Sequence, residues 1–242
     1  MQVINLTYPD FARQIPAGAI TLALGFFDGV HRGHQRVIAT ARENAQATGT
    51  RLAAMTFDQH PSVVFQHAAP DHVRYLTTVA QKETLMAELG VDILYILHFD
   101  AAVGAMPPQL FVDQLVVGLH ATTVVAGFDY TYGPATTANM QRLSDYAQQR
   151  FDIIEVPKAI DGTEKISSTR IRTALDAGLI DEANELLGYQ YETAGTVVHG
   201  EARGRTLGFP TANVAHDNNE RVPGIGTYAV MVHVRDQWVL GM

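Results

Sequence analysis

A run of ten residues near the start of the chain combines glycines with two histidines, a combination that suits phosphate binding. Residues 25–34 read GFFDGVHRGH and follow an apolar stretch that is typical of a buried strand. Glycine lets a backbone turn sharply and approach a phosphate closely. A helix that begins there points free amides and a positive partial charge at an anion. His31 and His34 are three residues apart, so on a first helical turn both imidazoles are expected to face the same anion.

Other interpretations of this run remain open from its residues alone. A tight strand-to-helix turn with two incidental surface histidines would look similar, because short motifs often match by chance. A zinc site would need a third ligand beside the histidines, and Asp28 is the local candidate. The spacing differs from the GxGxxG and GxxxxGK(S/T) phosphate loops. The aspartate and the glycines at positions 25, 29 and 33 favour a functional site over an incidental turn.

Hydroxyls and cations gather in a second run, residues 165–172, which reads KISSTRIR. Ser167 or Ser168 can cap a helix that starts near Thr169, and an ordinary cap would explain the hydroxyls. Lysine and arginine are unfavourable at a helix N-terminus unless an anion also lies there. The three cations of this run therefore point to a bound triphosphate.

The elements that must position these runs form an alternating pattern of strands and helices. Apolar runs with little alternation predict strands buried on both faces, at residues 20–26, 51–57, 92–99, 122–128 and 152–156. Helical spacing predicts helices at residues 34–48, 80–89, 107–119, 139–150, 169–177 and 181–187. This alternation predicts a Rossmann-like, doubly wound α/β fold, whose ligands bind beyond the carboxyl ends of the strands. The first run lies at that position.

After residue 187 the sequence changes to glycine-rich turns and short β-type runs. This pattern predicts a partial antiparallel β-barrel, and hence two domains, residues 1–187 and 188–242. The sequence stops inside an apolar, strand-like run at residues 238–242, so we expect this second domain to be incomplete. Its open edge could pair with another chain, which leaves self-association open.

Composition excludes several classes of protein. The net charge of −8 over 242 residues argues against broad binding to nucleic-acid phosphates. The sequence has no apolar run long enough to span a membrane and no signal-peptide pattern, so a soluble, cytoplasmic protein is expected. The absence of cysteine excludes a disulfide framework, thiolate metal sites and cysteine nucleophiles.

The two runs, in this order and separation, closely resemble the HxGH and ISSTxxR motifs of the nucleotidyltransferase superfamily. Three further segments narrow the resemblance: residues 56–61 (TFDQHP), 127–133 (GFDYTYG) and 204–213 (GRTLGFPTAN). Taken singly, the last two would also suit turns. Together the motifs cover nearly the whole chain and resemble those of the bacterial bifunctional riboflavin kinases/FAD synthetases.

The resemblance implies an FMN adenylyltransferase, which makes FAD and pyrophosphate from ATP and FMN with Mg²⁺. His31 and His34 would contact the ATP phosphates and stabilise the charge that builds at the α-phosphorus, with Asp28 as a third catalytic candidate. The residues implied for binding ATP and its phosphates are Gly25, Phe26, Phe27, Gly33, Lys165, Ser168, Thr169 and Arg172. Those implied for the flavin are Phe57, His60, Pro61, Asp129 and Tyr130.

The C-terminal segment resembles the riboflavin kinase module, which phosphorylates riboflavin to FMN. The resemblance implies that Thr211 and Asn213 bind Mg²⁺ and ATP phosphate there, if the module is functional. The kinase domain of the family runs further, and its catalytic carboxylate would lie beyond residue 242. This chain is therefore expected not to phosphorylate riboflavin.

The chain departs from the family pattern at two places. Gln59 stands where the family usually has proline, and residues 134–136 read PAT where a basic residue is often found. Two alternative functions stay open: a related nucleotidyltransferase acting on another phosphate ester, or a non-catalytic flavin-binding or regulatory protein, which the two departures favour. The PTAN segment argues against the first alternative. Retention of both histidines and of the full ISSTRIR run argues against the second.

Overall fold

The structure, a computed structural model, describes residues 1–11, 15–65, 73–201, 203–206, 208 and 211–242. Leu207, Phe209 and Pro210 of the predicted kinase segment lie outside the described residues. Within the described ranges, no helix is long and apolar enough to cross a membrane.

A six-stranded, fully parallel sheet forms the centre of the molecule, which confirms the predicted doubly wound α/β fold. The strand order is β1-β4-β3-β2-β5-β6. The strands are β1 Gln2–Leu6, β2 Ile20–Leu24, β3 Arg51–Phe57, β4 Ile93–Leu97, β5 Ala121–Gly127 and β6 Asp152–Val156. The edge strand β1 was not predicted, because only alternate residues of its short sequence are buried, whereas all of β2 and β4 is buried.

Helices cover both faces of the sheet. They are α1 Arg32–Thr48, α2 Pro61–Phe65, α3 Val79–Glu88, α4 Ala101–Gly104, α5 Pro108–Val112, α6 Met140–Ala147, α7 Ser168–Asp176, α8 Ile180–Leu187 and α9 Arg203–Thr206. The short helices α2 and α4 were missed because four or five residues show no periodicity. The helix predicted over residues 107–119 is α5 followed by a π-helical turn, Asp113–Val117.

Alternate residues of each strand pack on opposite sides of the sheet, as the period of two requires. Leu22 and Leu24 face one core, which α5, α6 and the π-helical turn close. Ala23 faces the other, closed by the buried stripe of α1 and by Met86 of α3. A third, smaller core lies between α7 and α8.

The C-terminal part contains antiparallel strand pairs in addition to α9. β9 Gly195–Val198 pairs with β10 Asn213–His216, and β11 Val230–Val234 pairs with β12 Gln237–Gly241. Earlier in the chain, β7 Ile160–Asp161 and β8 Glu164–Lys165 form a small hairpin just before α7. The composition changes where α8 ends at Leu187, and the division into two domains there stays a prediction.

Candidate active site

A cleft of about 470 Å³ opens beyond the carboxyl ends of β2, β3, β5 and β6. It brings together both predicted runs and the predicted flavin-side residues, although more than 130 residues of sequence separate His34 from Ser168. The predicted residues that line it are Gly25, Phe26, Phe27, Asp28, His31, Gly33, His34, Phe57, His60, Pro61, Asp129, Tyr130, Lys165, Ser168, Thr169 and Arg172.

The two histidines stand face to face at the start of α1. His31 is the N-cap, and its Nδ1 accepts a hydrogen bond from the backbone N–H of His34 at 3.3 Å. The two rings stack with centroids 3.6 Å apart and an interplanar angle of 14°. The expectation that both imidazoles lie on the first helical turn is wrong for His31, which precedes the helix. Both rings nevertheless line the same cleft.

Burial keeps both imidazoles neutral at pH 7 in the free protein. Desolvation lowers the pKa of His31 to about 4, and the nearby Lys165 and Arg172 add to the effect. Desolvation also lowers the pKa of His34 well below 6.5, and electrostatic repulsion from His31 and Lys82 lowers it further. The Nδ1 of His34 is buried and has no hydrogen-bond partner among the described residues.

The loop that leads to the histidines is closely packed and partly strained. Gly29 has φ of +78°, and a Cβ there would come within 2.8 Å of the Leu76 side chain. Gly25 is needed for a different reason, since its Cβ would lie 2.7 Å from the ring of Phe27. Phe27 and Val30 have φ of 54° and 35°, a region that non-glycine residues rarely adopt. The packing around this loop therefore holds a conformation that the local sequence alone would not favour.

Asp28 is buried, 2% exposed, and its carboxylate is fully engaged. Oδ1 accepts from the backbone N–H groups of Leu76 and Thr77 at 2.9 and 3.3 Å, and Oδ2 pairs with Arg172. The Ser168 hydroxyl donates to the Asp28 carbonyl at 3.0 Å. The first run and α7 are thus joined directly by hydrogen bonds and an ion pair.

At the start of α7, only part of the predicted cation cluster faces the cleft. Ser167 caps the helix, as predicted, with its Oγ accepting from the N–H of Arg170 at 3.3 Å. The guanidinium of Arg170 instead pairs with Asp161, Glu164 and Glu182. The interpretation that three cations meet one anion is therefore corrected to two, Lys165 and Arg172, because Arg170 holds the β7–β8 hairpin and α8 against α7.

The opposite wall of the cleft is aromatic. Phe26 and Phe57 stack with centroids 6.4 Å apart, and His60 meets the edge of Phe26 at 5.0 Å. Asp129, after β5, forms an ion pair with Lys165. The cleft therefore has a polar side that can bind phosphates and an aromatic side that can bind a flat ring system.

A buried lysine behind this wall was missed by the sequence analysis. Lys82 of α3 is 3% exposed, and its Nζ donates to the Phe26 carbonyl and to Thr56 Oγ1, both at 2.9 Å. Burial lowers its pKa to about 8. The sequence carried a signal for its burial, because Val79, Lys82 and Met86 share the helical spacing of a buried stripe, where a lysine is unusual.

The two departures from the family pattern are not among the described residues that line the cleft. Gln59 donates from Nε2 to the Phe99 carbonyl at 2.6 Å. Pro134 starts a tight turn whose carbonyl accepts from the N–H groups of Thr137 and Ala138 at 2.9 and 2.8 Å. Gln59 is therefore half-buried beside the cleft-lining His60, whereas residues 134–136 form an exposed turn outside the cleft lining.

The two predicted kinase residues lie elsewhere in the fold. Thr211 and Asn213 are both exposed, and Asn213 begins β10. The Asn213 amide lies against Gly200, since a Cβ there would come within 1.9 Å of its Nδ2. In the part of the chain that the structure describes, no three or more His, Cys, Asp or Glu residues cluster as a metal site.

Comparisons with known proteins agree with this geometry. The family model described as FAD synthetase matches residues 14–170, and the one described as riboflavin kinase matches residues 187–242. A bifunctional riboflavin kinase/FMN adenylyltransferase of Listeria monocytogenes is 48% identical over 242 residues, covering 100% of this chain and 77% of the relative. Its counterpart from Bacillus subtilis is 40% identical over 238 residues, covering 98% and 75%.

A solved structure agrees at the level of the fold. A crystal structure described as that of a macrolide-efflux protein from Streptococcus pneumoniae superposes with a TM-score of 0.89 at 33% identity, covering 99% of this chain and 77% of that one. From the two family models and from relatives that match over the whole of this chain, we conclude that the chain belongs to the family of bifunctional riboflavin kinase/FMN adenylyltransferases.

Proposed function

We propose that this chain transfers AMP from ATP to the phosphate of FMN, producing FAD and pyrophosphate. The observation that carries the proposal is the meeting of two elements in one cleft: the stacked pair His31 and His34, and the start of α7 with Ser168, Thr169 and Arg172. An aromatic wall on the other side of the same cleft suits the isoalloxazine of FMN.

The reaction is a direct displacement at phosphorus. An oxygen of the FMN phosphate forms a bond to the α-phosphorus, and the bond from that phosphorus to the bridging oxygen breaks. The electron pair leaves on pyrophosphate. The FMN phosphate is already ionised, so neither a protein nucleophile nor a covalent intermediate is needed, and catalysis consists of positioning and charge stabilisation.

The histidines act on the charge of the α-phosphate. They are neutral in the free cleft because burial lowers the pKa of both. A polyphosphate brings negative charge beside the rings, which raises the pKa of an imidazole and favours its donating to a phosphate oxygen. Donors that are fixed before the reaction lower the barrier most, because no reorganisation is needed as charge develops.

The β- and γ-phosphates belong at the N-terminus of α7. Free amides and the helix dipole favour an anion there, and the hydroxyls of Ser168 and Thr169 together with Lys165 and Arg172 add donors. Asp28, predicted as catalytic, is assigned a positioning role, since its buried carboxylate is already occupied by Arg172 and by the backbone N–H groups of Leu76 and Thr77. Phe57, His60, Pro61, Asp129 and Tyr130 are assigned to the flavin side.

Mg²⁺ is expected to enter as the magnesium complex of ATP. Both carboxylates that line the cleft, Asp28 and Asp129, are already paired with cations, so the described residues offer no ready-made magnesium site. Mg²⁺ commonly binds through substrate phosphates with few protein ligands. The residues therefore do not fit a metal held by the protein alone.

The remaining assignments concern residues 188–242. This second domain is assigned to riboflavin phosphorylation, with Thr211 and Asn213 near the magnesium and phosphate of a second ATP. The cytoplasmic location of the protein stays a prediction.

The test is incubation with FMN and Mg-ATP followed by chromatographic detection of FAD and pyrophosphate. His34→Ala is expected to lower turnover about a hundredfold, as for loss of one donor to the developing charge, with the fold retained. His199→Ala, at an exposed histidine outside the cleft lining, is the matched control and should leave turnover unchanged. Unchanged turnover in His34→Ala would contradict the assigned role. If the chain binds FMN but forms no FAD, it is a flavin-binding protein. If it transfers AMP to other phosphate esters instead of FMN, it is a related transferase.

A further inference from the structure

Residues 75–77, here called the connecting segment, pack against the loop that carries the two histidines. Leu76 and Thr77 donate their backbone N–H groups to the Asp28 carboxylate, and Thr77 Oγ1 accepts from the N–H of Gly29 at 3.0 Å. The connecting segment therefore fixes the loop that carries the two histidines.

Tyr75, the first residue of this segment, reaches the aromatic side of the cleft. Its hydroxyl oxygen accepts from the N–H of His60 at 2.9 Å. Its ring packs against that of Phe26 with centroids 5.9 Å apart. Both His60 and Phe26 line the cleft, so Tyr75 supports that wall without itself being one of the lining residues.

The other side of Tyr75 is bound by a distant part of the chain. Residues 219–224, here called the docked segment, belong to the portion that matches the riboflavin kinase model. The N–H of Tyr75 donates to the Asn219 carbonyl at 2.7 Å, and the N–H of Arg221 donates to the Tyr75 carbonyl at 2.9 Å. These two bonds form a parallel bridge between Tyr75 and Glu220.

The docked segment also holds the far end of α7. Arg221 donates from Nε to Asp176 Oδ1 at 3.0 Å, and the N–H of Gly224 donates to the Leu175 carbonyl at 2.8 Å. A Cβ on Gly224 would lie 2.2 Å from the Asp176 carbonyl oxygen, so only glycine permits this approach. The first two turns of the same helix carry Ser168, Thr169 and Arg172.

A buried carboxylate fixes the docked segment in its place. The Glu220 side chain is 1% exposed and accepts from the N–H of Ala194 at 3.0 Å and from Gln81 Nε2 at 3.3 Å. His216 Nδ1 lies 3.5 Å from the same carboxylate. A buried charge with several partners tolerates little displacement, because any shift leaves it unpaired.

We propose that the docked segment is a positioning element of the AMP-transfer site. By binding both the connecting segment and the end of α7, it holds the histidine loop and the phosphate-binding helix in register across the cleft. Tyr75 is the positioning residue for the flavin side, and Arg221 is the positioning residue for the phosphate side. The inference rests on the proposed function for the identity of the two ligands.

The test uses the full chain and separates the two sides by their Michaelis constants. Tyr75→Phe removes the oxygen that binds the His60 N–H, so KM for FMN is expected to rise about three- to tenfold, the usual worth of one hydrogen bond. KM for ATP and kcat should stay within about twofold. Arg221→Gln loosens the end of α7, so KM for ATP should rise about two- to fivefold, with less effect on FMN.

Two further variants control the experiment. Tyr95→Phe removes a buried hydroxyl that has no partner among the described residues, and it should leave both constants unchanged. Glu220→Gln should raise KM for FMN as Tyr75→Phe does, and the two changes together should raise it by less than the product of the single effects.

A second readout keeps the inference independent of turnover. FMN affinity, measured by quenching of flavin fluorescence, should weaken in Tyr75→Phe and stay unchanged in Tyr95→Phe. If the wild-type chain makes no FAD, the proposed function fails, and this titration still decides the role of Tyr75. The inference would be overturned if Tyr75→Phe and Arg221→Gln had the same KM values and the same FMN affinity as Tyr95→Phe.

Discussion

The buried histidine pair makes the stability of this protein sensitive to mild acid. Burial holds the pKa of His31 at about 4 in the folded protein, against 6.5 for an exposed imidazole. Between these values the unfolded chain binds a proton that the folded chain excludes. The free energy of unfolding therefore falls as the pH drops from 6.5 to 4, and the loss from His31 is complete below that range.

The size of the effect follows from the shift. At about 1.4 kcal/mol for each unit of pKa, His31 accounts for a loss of about 3 kcal/mol. His34 acts in the same direction, because burial and the neighbouring charges also lower its pKa. Such a loss is a large fraction of the stability of an ordinary domain.

Urea denaturation at a series of pH values measures this loss, with His31→Asn as the comparison. Asparagine is a good N-cap and can still accept from the N–H of His34, so helix α1 keeps its cap. Carboxylates titrate in both proteins, and the difference between the two curves isolates the imidazole. The wild type should lose about 3 kcal/mol more than the variant over the window. Parallel curves would show that the ring is protonated equally in both states, and would refute the burial argument.

Two further predictions concern the backbone around the cleft. Gly29→Ala forces a methyl group to within 2.8 Å of Leu76 at a φ of +78°. The free energy of unfolding, measured by urea titration, should therefore fall by about 1–3 kcal/mol. An unchanged urea midpoint would contradict the strain. Ser167→Ala removes the N-cap of α7 and should cost about 1 kcal/mol while raising KM for ATP. As a control, Asn139→Ala removes the cap of α6, which should lower the free energy of unfolding by a similar amount and leave KM for ATP unchanged. If Ser167→Ala and Asn139→Ala changed KM for ATP equally, the link between α7 and the phosphates would be contradicted.

The charge distribution explains how an acidic chain can bind polyanions. The chain carries a net charge of −8, yet Lys158, Lys165 and Arg172 line the cleft and Lys82 lies directly behind it. Asp28 and Asp129 neutralise part of this charge in the free protein. A site of this kind attracts phosphates locally although the chain as a whole is acidic.

Much of this architecture was predictable because it depends on neighbours in sequence. Strands buried on both faces are apolar throughout, so β2 and β4 were recognised from composition alone. The Ser167 cap and the left-handed Gly49 at the end of α1 follow equally local rules. The place of the first run beyond a buried strand then predicted the edge of the sheet at which the cleft lies.

The contacts that complete the site join residues far apart in the chain, and only the tertiary structure decided them. The pairing of Asp28 with Arg172, the turn of Arg170 away from the cleft and the docking of residues 219–224 on Tyr75 each depend on the path of the chain. The same holds for the low pKa of the histidines, which requires a wall built from several segments. Local sequence determines which conformations and charges a segment carries. It does not determine which distant segment will desolvate or pair with them, because that depends on how all the elements pack together.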